Sequence, residues 1–265
     1  TGGEPLVRKD IIKLIRNLNL KKNITNLKEI TLTTNGTLLS RFSKELKENG
    51  INRINVSLDT INHHKYNQIT RFGNLSNVIR GIDEALKNDI KVKINTVAIK
   101  NFNESELNDL IIWCNKMNID ISFIEIMPMN ETETSRHLQF VSLEKIYNEL
   151  DVKFNFKKID KNTGGPALYY KSDKLKIDVG FITPITNNFC ASCNRVRISS
   201  TGKLFMCLGQ NDFVDFRELL RNDYSNEYIK EKILHALRIK PKKHDFLIEK
   251  DQKPYMQRHM NVTGG

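Results

Sequence analysis

Residues Glu29–Leu58 read Glu-Ile-Thr-Leu-Thr-Thr-Asn-Gly-Thr-Leu-Leu-Ser-Arg-Phe-Ser-Lys-Glu-Leu-Lys-Glu-Asn-Gly-Ile-Asn-Arg-Ile-Asn-Val-Ser-Leu. Glu29–Thr34 is strand-like, and Asn35-Gly36 ends it with a turn signal. Leu38–Glu48 reads as a helix stopped by Asn49-Gly50, and Ile54–Leu58 is the next strand. The alternation continues outward on both sides. Asp10–Leu18 has apolar residues at 11, 12, 14, 15 and 18, which is helical spacing. Downstream, Asn77–Lys87 predicts a helix, Val92–Ile99 a strand, Glu104–Met117 a helix and Ile119–Met127 a strand. Strand and helix alternating at roughly 30 to 40 residues predict an α/β fold with a parallel sheet or a (β/α) barrel. Polar residues Thr33, Thr34, Ser57, Asp59, Asn95 and Glu125 fall where these strands end, the edge at which a barrel carries its chemistry.

The texture changes near residue 130. Ser142–Leu150 predicts a short helix. Strand-like pieces follow at Val152–Phe156, Leu168–Lys171, Leu175–Ile182, Arg195–Ser199 and Lys203–Leu208, then helices at about 213–221 and 226–238. The expected organisation is a (β/α) region over 1–130 and a second, α+β domain over 131–265.

Composition limits the function classes. The chain of 265 residues has 42 Lys plus Arg against 31 Asp plus Glu, a net charge of +11, which suggests a polyanionic partner: nucleic acid or a nucleotide triphosphate. The plain alternative is a Lys-rich solvated surface. No aromatic residues are interleaved in a basic stripe, as single-stranded nucleic acid would favour. The densest basic stretch, Lys240-Pro241-Lys242-Lys243, reads as a loop after a helix. Hydrophobic residues at 39% exclude a disordered chain. The longest apolar runs, such as Ile121–Met129, fall far short of the ~20 residues a membrane span needs. Four cysteines are too few for a disulfide scaffold, and three of them cluster, which favours a metal and a reducing cytoplasm.

Those three, Cys190, Cys193 and Cys207, form C-x2-C-x13-C. The intervening residues alternate around Ser200-Thr201-Gly202, so they predict a hairpin that folds Cys207 back beside Cys193. Thiolates fit zinc or an iron–sulfur cluster. Structural zinc takes four ligands, and no fourth Cys or His lies nearby in sequence; Cys114, in an apolar helix, reads as a core thiol. Three thiolates on a [4Fe–4S] cluster leave one iron open to a non-protein ligand. On a strand, residues 193, 195 and 197 share a face, so Arg195 and Arg197 flank the metal ligand and suit an anionic phosphate; otherwise they form a surface ladder.

Several pieces coincide. They are Thr1-Gly2-Gly3-Glu4-Pro5-Leu6-Val7-Arg8, Asn188-Phe189-Cys190-Ala191-Ser192-Cys193-Asn194-Arg195-Val196-Arg197 with Cys207, and a terminal Gly264-Gly265. With Leu32–Gly36, Ile54–Asp59, Lys91–Asn95 and Phe123–Met127 in order, the chain resembles, over essentially its whole length, the radical-SAM GTP 3′,8-cyclases of molybdenum cofactor biosynthesis. Gly-Gly-Glu-Pro alone indicates only a radical-SAM protein; the cysteine–arginine segment and the Gly-Gly tail are more specific.

The resemblance implies an incomplete (β/α) barrel of radical-SAM type plus a C-terminal domain carrying an iron–sulfur site. It implies a lyase in which a 5′-deoxyadenosyl radical from S-adenosylmethionine abstracts hydrogen from C3′ of GTP, and C3′ then attacks C8 of the guanine. A cyclic pyranopterin monophosphate synthase acts next. Residue by residue, Cys190, Cys193 and Cys207 match cluster ligands; Thr33, Lys93, Arg195, Val196 and Arg197 match GTP contacts; Gly3, Ser57 and Met127 match S-adenosylmethionine contacts. On physical grounds Gly3 lets a backbone approach a ligand, whereas Met127 fits a core methionine as well as a ligand wall. The resemblance points to the cytoplasm, to no nucleic acid or membrane partner, and admits a homodimer.

Two departures stand out. The family's first cluster is bound by a C-x3-C-x2-C loop ahead of Gly-Gly-Glu-Pro, and no cysteine here precedes Cys114. The chain opens without Met, so it is expected to be an N-terminally truncated fragment, holding one [4Fe–4S] cluster of two and inactive alone. Ser122 stands where the family usually has Arg. The rival readings are another radical-SAM enzyme with an auxiliary cluster, and a non-catalytic basic metal-binding module.

Overall fold

The computed structural model describes residues 2–129, 136–244, 246 and 260–263. In chain order its elements begin with α1 (Ile11–Lys21), β1 (Leu32–Thr34), α2 (Leu39–Glu48), β2 (Arg53–Ser57), α3 (His63–Thr70), α4 (Leu75–Lys87) and β3 (Lys91–Ala98). Then come α5 (Leu107–Met117), β4 (Asp120–Glu125), α6 (Arg136–Gln139), α7 (Leu143–Phe154), β5 (Lys157–Ile159), β6 (Leu168–Lys171) and β7 (Val179–Ile182). The last are β8 (Arg197–Ile198), β9 (Lys203–Phe205), β10 (Phe213–Asp215), α8 (Phe216–Arg221), α9 (Asn226–Arg238) and α10 (Met260–Thr263). No helix among the described residues is long and apolar enough to cross a membrane.

The chain divides into two compact units. The larger comprises Glu4–Ile126 and Phe140–Thr183; the smaller comprises Thr1–Gly3, Met127–Gln139 and Pro184–Gly265. The sequence reading divides the chain at 130/131, whereas β5, β6 and β7 join the sheet of the larger unit. That sheet runs β1-β2-β3-β4-β7-β6-β5. The pairs β1–β2, β2–β3, β3–β4 and β4–β7 are parallel, and β7–β6 and β6–β5 antiparallel. The expected α/β class with a mostly parallel sheet is what forms.

Short polar residues start the helices. The Asn62 and Asn74 side chains accept the first free N–H groups of α3 and α4, and Ser142 does so for α7. Along α4, Leu75, Val78, Ile82 and Ala85 fall on one buried face at i, i+3, i+7 and i+10. Against the sheet, Ile54, Val56, Ile94, Ile121 and Val179 are wholly buried. The bridges Val56↔Ile94, Ile94↔Ile121 and Ile121↔Val179 place the last four in one row.

Three local expectations differ. Val152–Phe156 is not a strand: α7 runs to Phe154, and Asn155 ends it in the left-handed conformation at φ 53. Residues 213–215 are β10 rather than helix, because Asp215 caps α8 by accepting the Glu218 N–H. Helix α3 is absent from the sequence reading, and Tyr66 is its only buried residue.

Gly81 marks the closest helix contact. A Cβ there would lie 2.5 Å from the Gly36 carbonyl oxygen and 2.9 Å from Leu39 Cβ. Alanine gains about 1 kcal/mol of helix propensity, but a backbone atom cannot step aside. Gly81→Ala is expected to lower stability by about 1–3 kcal/mol, read as a fall in Tm with the far-UV spectrum retained. An unchanged or higher Tm would mean that α4 slides without cost.

Candidate functional site

In the larger unit, strand alternation separates an apolar from a polar face. The ladder places Thr33 opposite Asn55, Asn55 opposite Lys93, and Lys93 opposite Asp120. One row further, Ser57 lies opposite Asn95, Asn95 opposite Ser122, Ser122 opposite Gly180, and Gly180 opposite Tyr169. The sequence-predicted Thr33, Ser57 and Lys93 thus share one face of one sheet. The reading missed Asn55, Ser122 and Tyr169 as members. The period-two pattern in Ile-Asn-Val-Ser and Val-Lys-Ile-Asn was the available signal, since strands covered on both sides are otherwise apolar throughout.

This face is poorly satisfied. Asn55 Oδ1, Asn95 Oδ1 and Ser122 Oγ are buried without a hydrogen-bond partner. Lys93 is 9% exposed, and its ammonium donates to the Tyr169 hydroxyl at 3.2 Å. Its ladder partner Asp120 is engaged elsewhere: one carboxylate oxygen accepts from Lys161 at 2.6 Å and the other from the Asp178 N–H at 2.9 Å. Among the described residues, Lys93 makes no ion pair. Unpaired buried charge and orphaned acceptors are costly without a ligand, so the face has the chemistry of a polar, anionic ligand site.

Glu4 ties the Gly-Gly-Glu-Pro turn to the end of β1. Its carboxylate accepts from the Thr34 hydroxyl at 2.7 Å, the Asn35 N–H at 2.7 Å and the Leu6 N–H at 3.1 Å. Two other strand-end polar residues have structural work. Glu125 accepts from the Leu143 N–H at the start of α7. Asp59, just past β2, accepts from the Val97 N–H at 2.8 Å.

In the smaller unit, Gly3 has φ +72, and the space where a side chain would project is open. The smaller sheet is β10-β9-β8, with Arg197 opposite Phe205 and Ile198 opposite Leu204. Continuing that register sets Cys207 opposite Arg195, as the hairpin reading expected, although β8 and β9 are shorter than predicted. Cys190, Cys193, Cys207, Arg195 and Arg197 line one cavity with Met127, Met206, Lys240, His244 and Phe246. Cys193, Arg195 and Arg197 are half-buried and alternate with exposed Asn194, Val196 and Ile198. The Val196 side chain therefore does not join the cavity. Met127 lies beyond β4, which ends at Glu125, and packs with Met129, Phe246, Ile185 and Leu208. Gly264 and Gly265 lie outside the described residues.

Lys240, read as part of a solvated basic loop, is a clamp. Its ammonium donates to the Met206 carbonyl at 2.7 Å and the Arg195 carbonyl at 3.1 Å, holding both arms of the hairpin beside the thiols. His244 accepts the Phe246 N–H at Nδ1, so its Nε2–H donates to the Pro184 carbonyl at 2.8 Å. Burial pulls both Arg195 and Arg197 below the ordinary guanidinium range, and the Cys193 sulfur opposes this for each. Burial also pushes Cys207 up, against the Gly209 N–H and Lys240.

The donor set fits an iron–sulfur cluster. Three thiols share one cavity, and all four cysteines are free. Yet no three His, Cys, Asp or Glu among the described residues are gathered as around a single ion. A cluster takes thiolates at separate irons and so spreads its ligands more widely than one ion does. Cys114 is buried, and its thiol is held far above the usual range by burial, which suits a core residue.

Residues 1–114 match the Radical SAM superfamily, and residues 119–246 match Molybdenum Cofactor Synthesis C. Solved structures agree in fold. Streptococcus suis SuiB aligns over 97% of this chain and 64% of that chain, with TM-score 0.54 and 16% identity. The same protein bound to S-adenosylmethionine aligns over 85% and 53%, again with TM-score 0.54. The fold is that of the radical-SAM class. GTP 3′,8-cyclases of Brucella ovis and Brucella canis are each 49% identical over 266 residues, covering 100% of this chain and 77% of each relative. The chain belongs to the GTP 3′,8-cyclase family.

Asp59 supplies a pH test independent of that assignment. Burial pushes its carboxyl up to about 6 from the ordinary 3.8, against the Val97 N–H. The folded state therefore binds a proton that the unfolded state has released between those values, so stability falls as pH rises from about 4 to about 6. Asp59→Asn, whose amide oxygen still accepts from Val97, is expected to abolish on the order of 1–3 kcal/mol of this decline. If the group titrates normally, denaturant melts at pH 4.5 and 7.5 would show the same change in unfolding free energy for parent and variant.

Proposed function

We propose that this chain takes part in the conversion of GTP to 3′,8-cyclo-7,8-dihydro-GTP. The observation that carries the reading is the cavity joining three thiols to two arginines. Cys190, Cys193 and Cys207 would hold a [4Fe–4S] cluster and leave one iron without a protein thiolate. Arg195 and Arg197 alternate with solvent-facing residues, so both guanidinium groups turn toward the thiols, where they would bind phosphate oxygens through paired N–H donors. Val196, between them, would contact the nucleotide through its backbone.

Thr33 and Lys93 would contact GTP on the polar face of the larger sheet. The unpaired ammonium and the orphaned Asn55, Asn95 and Ser122 atoms support a ligand there, and Lys93 would add positive charge where substrate anions accumulate. Gly3, Ser57 and Met127 would contact S-adenosylmethionine, Gly3 through its exposed backbone. When bound, an iron–sulfur cluster and S-adenosylmethionine would supply the one-electron chemistry. The chain's own residues bind, orient and neutralise the nucleotide. The product would pass to a cyclic pyranopterin monophosphate synthase. Free thiols suit a reducing cytoplasm, and a homodimer is part of the proposal without a surface assigned to it.

Two results are expected. Anaerobic reconstitution of these 265 residues should load one [4Fe–4S] cluster per chain, by iron and sulfide analysis with EPR; zinc at one per chain with no iron uptake would overturn the cluster. Arg195→Ala or Arg197→Ala should weaken GTP binding about ten- to a hundredfold with cluster content unchanged. Lys at either position should restore part of it. Equal GTP affinity in parent and Ala variants would reduce the arginines to a surface ladder.

A further inference from the structure

Lys93 is a buried cation whose direction is not set by a carboxylate. Its ladder partner Asp120 is held by Lys161, which also pairs with Asp178 at 2.7 Å. What Lys93 bonds directly is a neutral hydroxyl, itself held by further groups. Its ammonium donates to the Tyr169 hydroxyl at 3.2 Å, and that hydroxyl lies 3.0 Å from the Thr163 hydroxyl. The Thr163 carbonyl accepts from Arg53, which is fixed in turn by a two-pronged pair with Glu29 at 3.0 and 2.7 Å. The Tyr169 ring is 1% exposed and carries Lys93 and Lys161 at 5.8 and 5.0 Å from its centroid. Gly180 makes room for it: a Cβ there would lie 3.0 Å from Tyr169 Cε1 and 2.5 Å from Ser122 Oγ.

We propose that Tyr169 is a positioning residue for the reaction: its hydroxyl aims the Lys93 ammonium at an anionic group of the nucleotide bound on the polar face. A neutral phenol suits this task better than a carboxylate. A carboxylate would neutralise Lys93 and compete with the substrate for its charge, whereas the phenol oxygen accepts one ammonium proton and leaves two N–H donors and the full positive charge for the ligand. The Thr163 hydroxyl, 3.0 Å away, is a second partner of the phenol oxygen and holds it in place beside Lys93. Burial pushes the phenol up, and the Lys93 cation together with neighbouring hydroxyls outweighs it and holds the phenol below its usual range.

The inference rests on the reading of Lys93 as a GTP contact, and a double-variant cycle separates the two. GTP and S-adenosylmethionine affinities would be measured by calorimetry on the reconstituted protein for the parent, Lys93→Met, Tyr169→Phe and the pair. Lys93→Met is expected to weaken GTP about tenfold or more. Tyr169→Phe keeps the ring and is expected to weaken GTP about three- to tenfold, with S-adenosylmethionine affinity and cluster content unchanged and Tm somewhat lowered, because the buried ammonium loses its partner. In the Lys93→Met background the same Phe change should cost nothing further. If Lys93→Met weakens GTP but Tyr169→Phe does not, or if Tyr169→Phe acts equally in both backgrounds, Tyr169 is a packing residue. If Lys93→Met leaves GTP affinity intact, the Lys93 reading itself fails.

Discussion

Lys93 enters the sheet opposite Asp120, and Asp120 is not available to it. Parallel pairing sets this constraint. Once β3 and β4 are in register, the residue one step along the ladder is fixed, and so is the face it occupies. Lys161 arrives from the loop after β5 and takes both Asp120 and Asp178. The sheet thus contains one cation satisfied by two carboxylates and, beside it, one satisfied by none. Exchanging the partners would leave the same net charge in the unit and remove the reason for a ligand. The functional character of the polar face depends on this asymmetric pairing more than on the number of polar residues there.

The smaller unit solves a related problem with less apparatus. Among the described residues its buried apolar clusters are small, Leu204, Met206, Phe216 and Ala236 in one and Met129 with Phe246 in the other, which is little on which to hold two guanidinium groups half out of water. The hairpin is held instead by local devices. Lys240 bridges the carbonyls of its two arms, and Gly202 turns it at φ +84, with the Gly202 N–H donating to the Ser199 carbonyl. Asp215 caps α8 directly after β10. The cysteines therefore sit on backbone that is tied to itself within a few residues. That arrangement suits a site whose own contents supply further cross-links between Cys190, Cys193 and Cys207.

What was legible in the sequence follows from how local each signal is. The period-two face of Cys193, Arg195 and Arg197 and the return of Cys207 needed only a hairpin, and both are present. The helices from α1 to α5 were legible except α3, whose sequence His-His-Lys-Tyr-Asn-Gln-Ile-Thr buries Tyr66 alone and so shows no apolar stripe. Illegible were the pairings across long stretches of chain. Nothing in Val179–Ile182 states that it adds to β4 or brings Tyr169 to Gly180, so the sheet was cut short at residue 130 and Tyr169 went unnoticed. Lys240 was missed for a related reason. A lysine in a basic loop reads as solvated until the carbonyls that receive it are placed.

On the proposed reading, the two sites would bind an anion with different kinds of cation. A guanidinium presents a planar fork and keeps its charge when partly buried, so Arg195 and Arg197 would fix the orientation of a phosphate from the hairpin. An ammonium has no such geometry, since three donors rotate about one carbon–nitrogen bond. It becomes directional only when part of its donor set is already committed to the protein. That is the position of Lys93, with one donor on a buried phenol and its aliphatic stem enclosed by the sheet. A lysine exposed at the same distance from a ligand would add attraction without aim. The enclosed lysine with a neutral partner adds both, and in this sheet it can do so because Lys161 removes the carboxylate that would otherwise quench it.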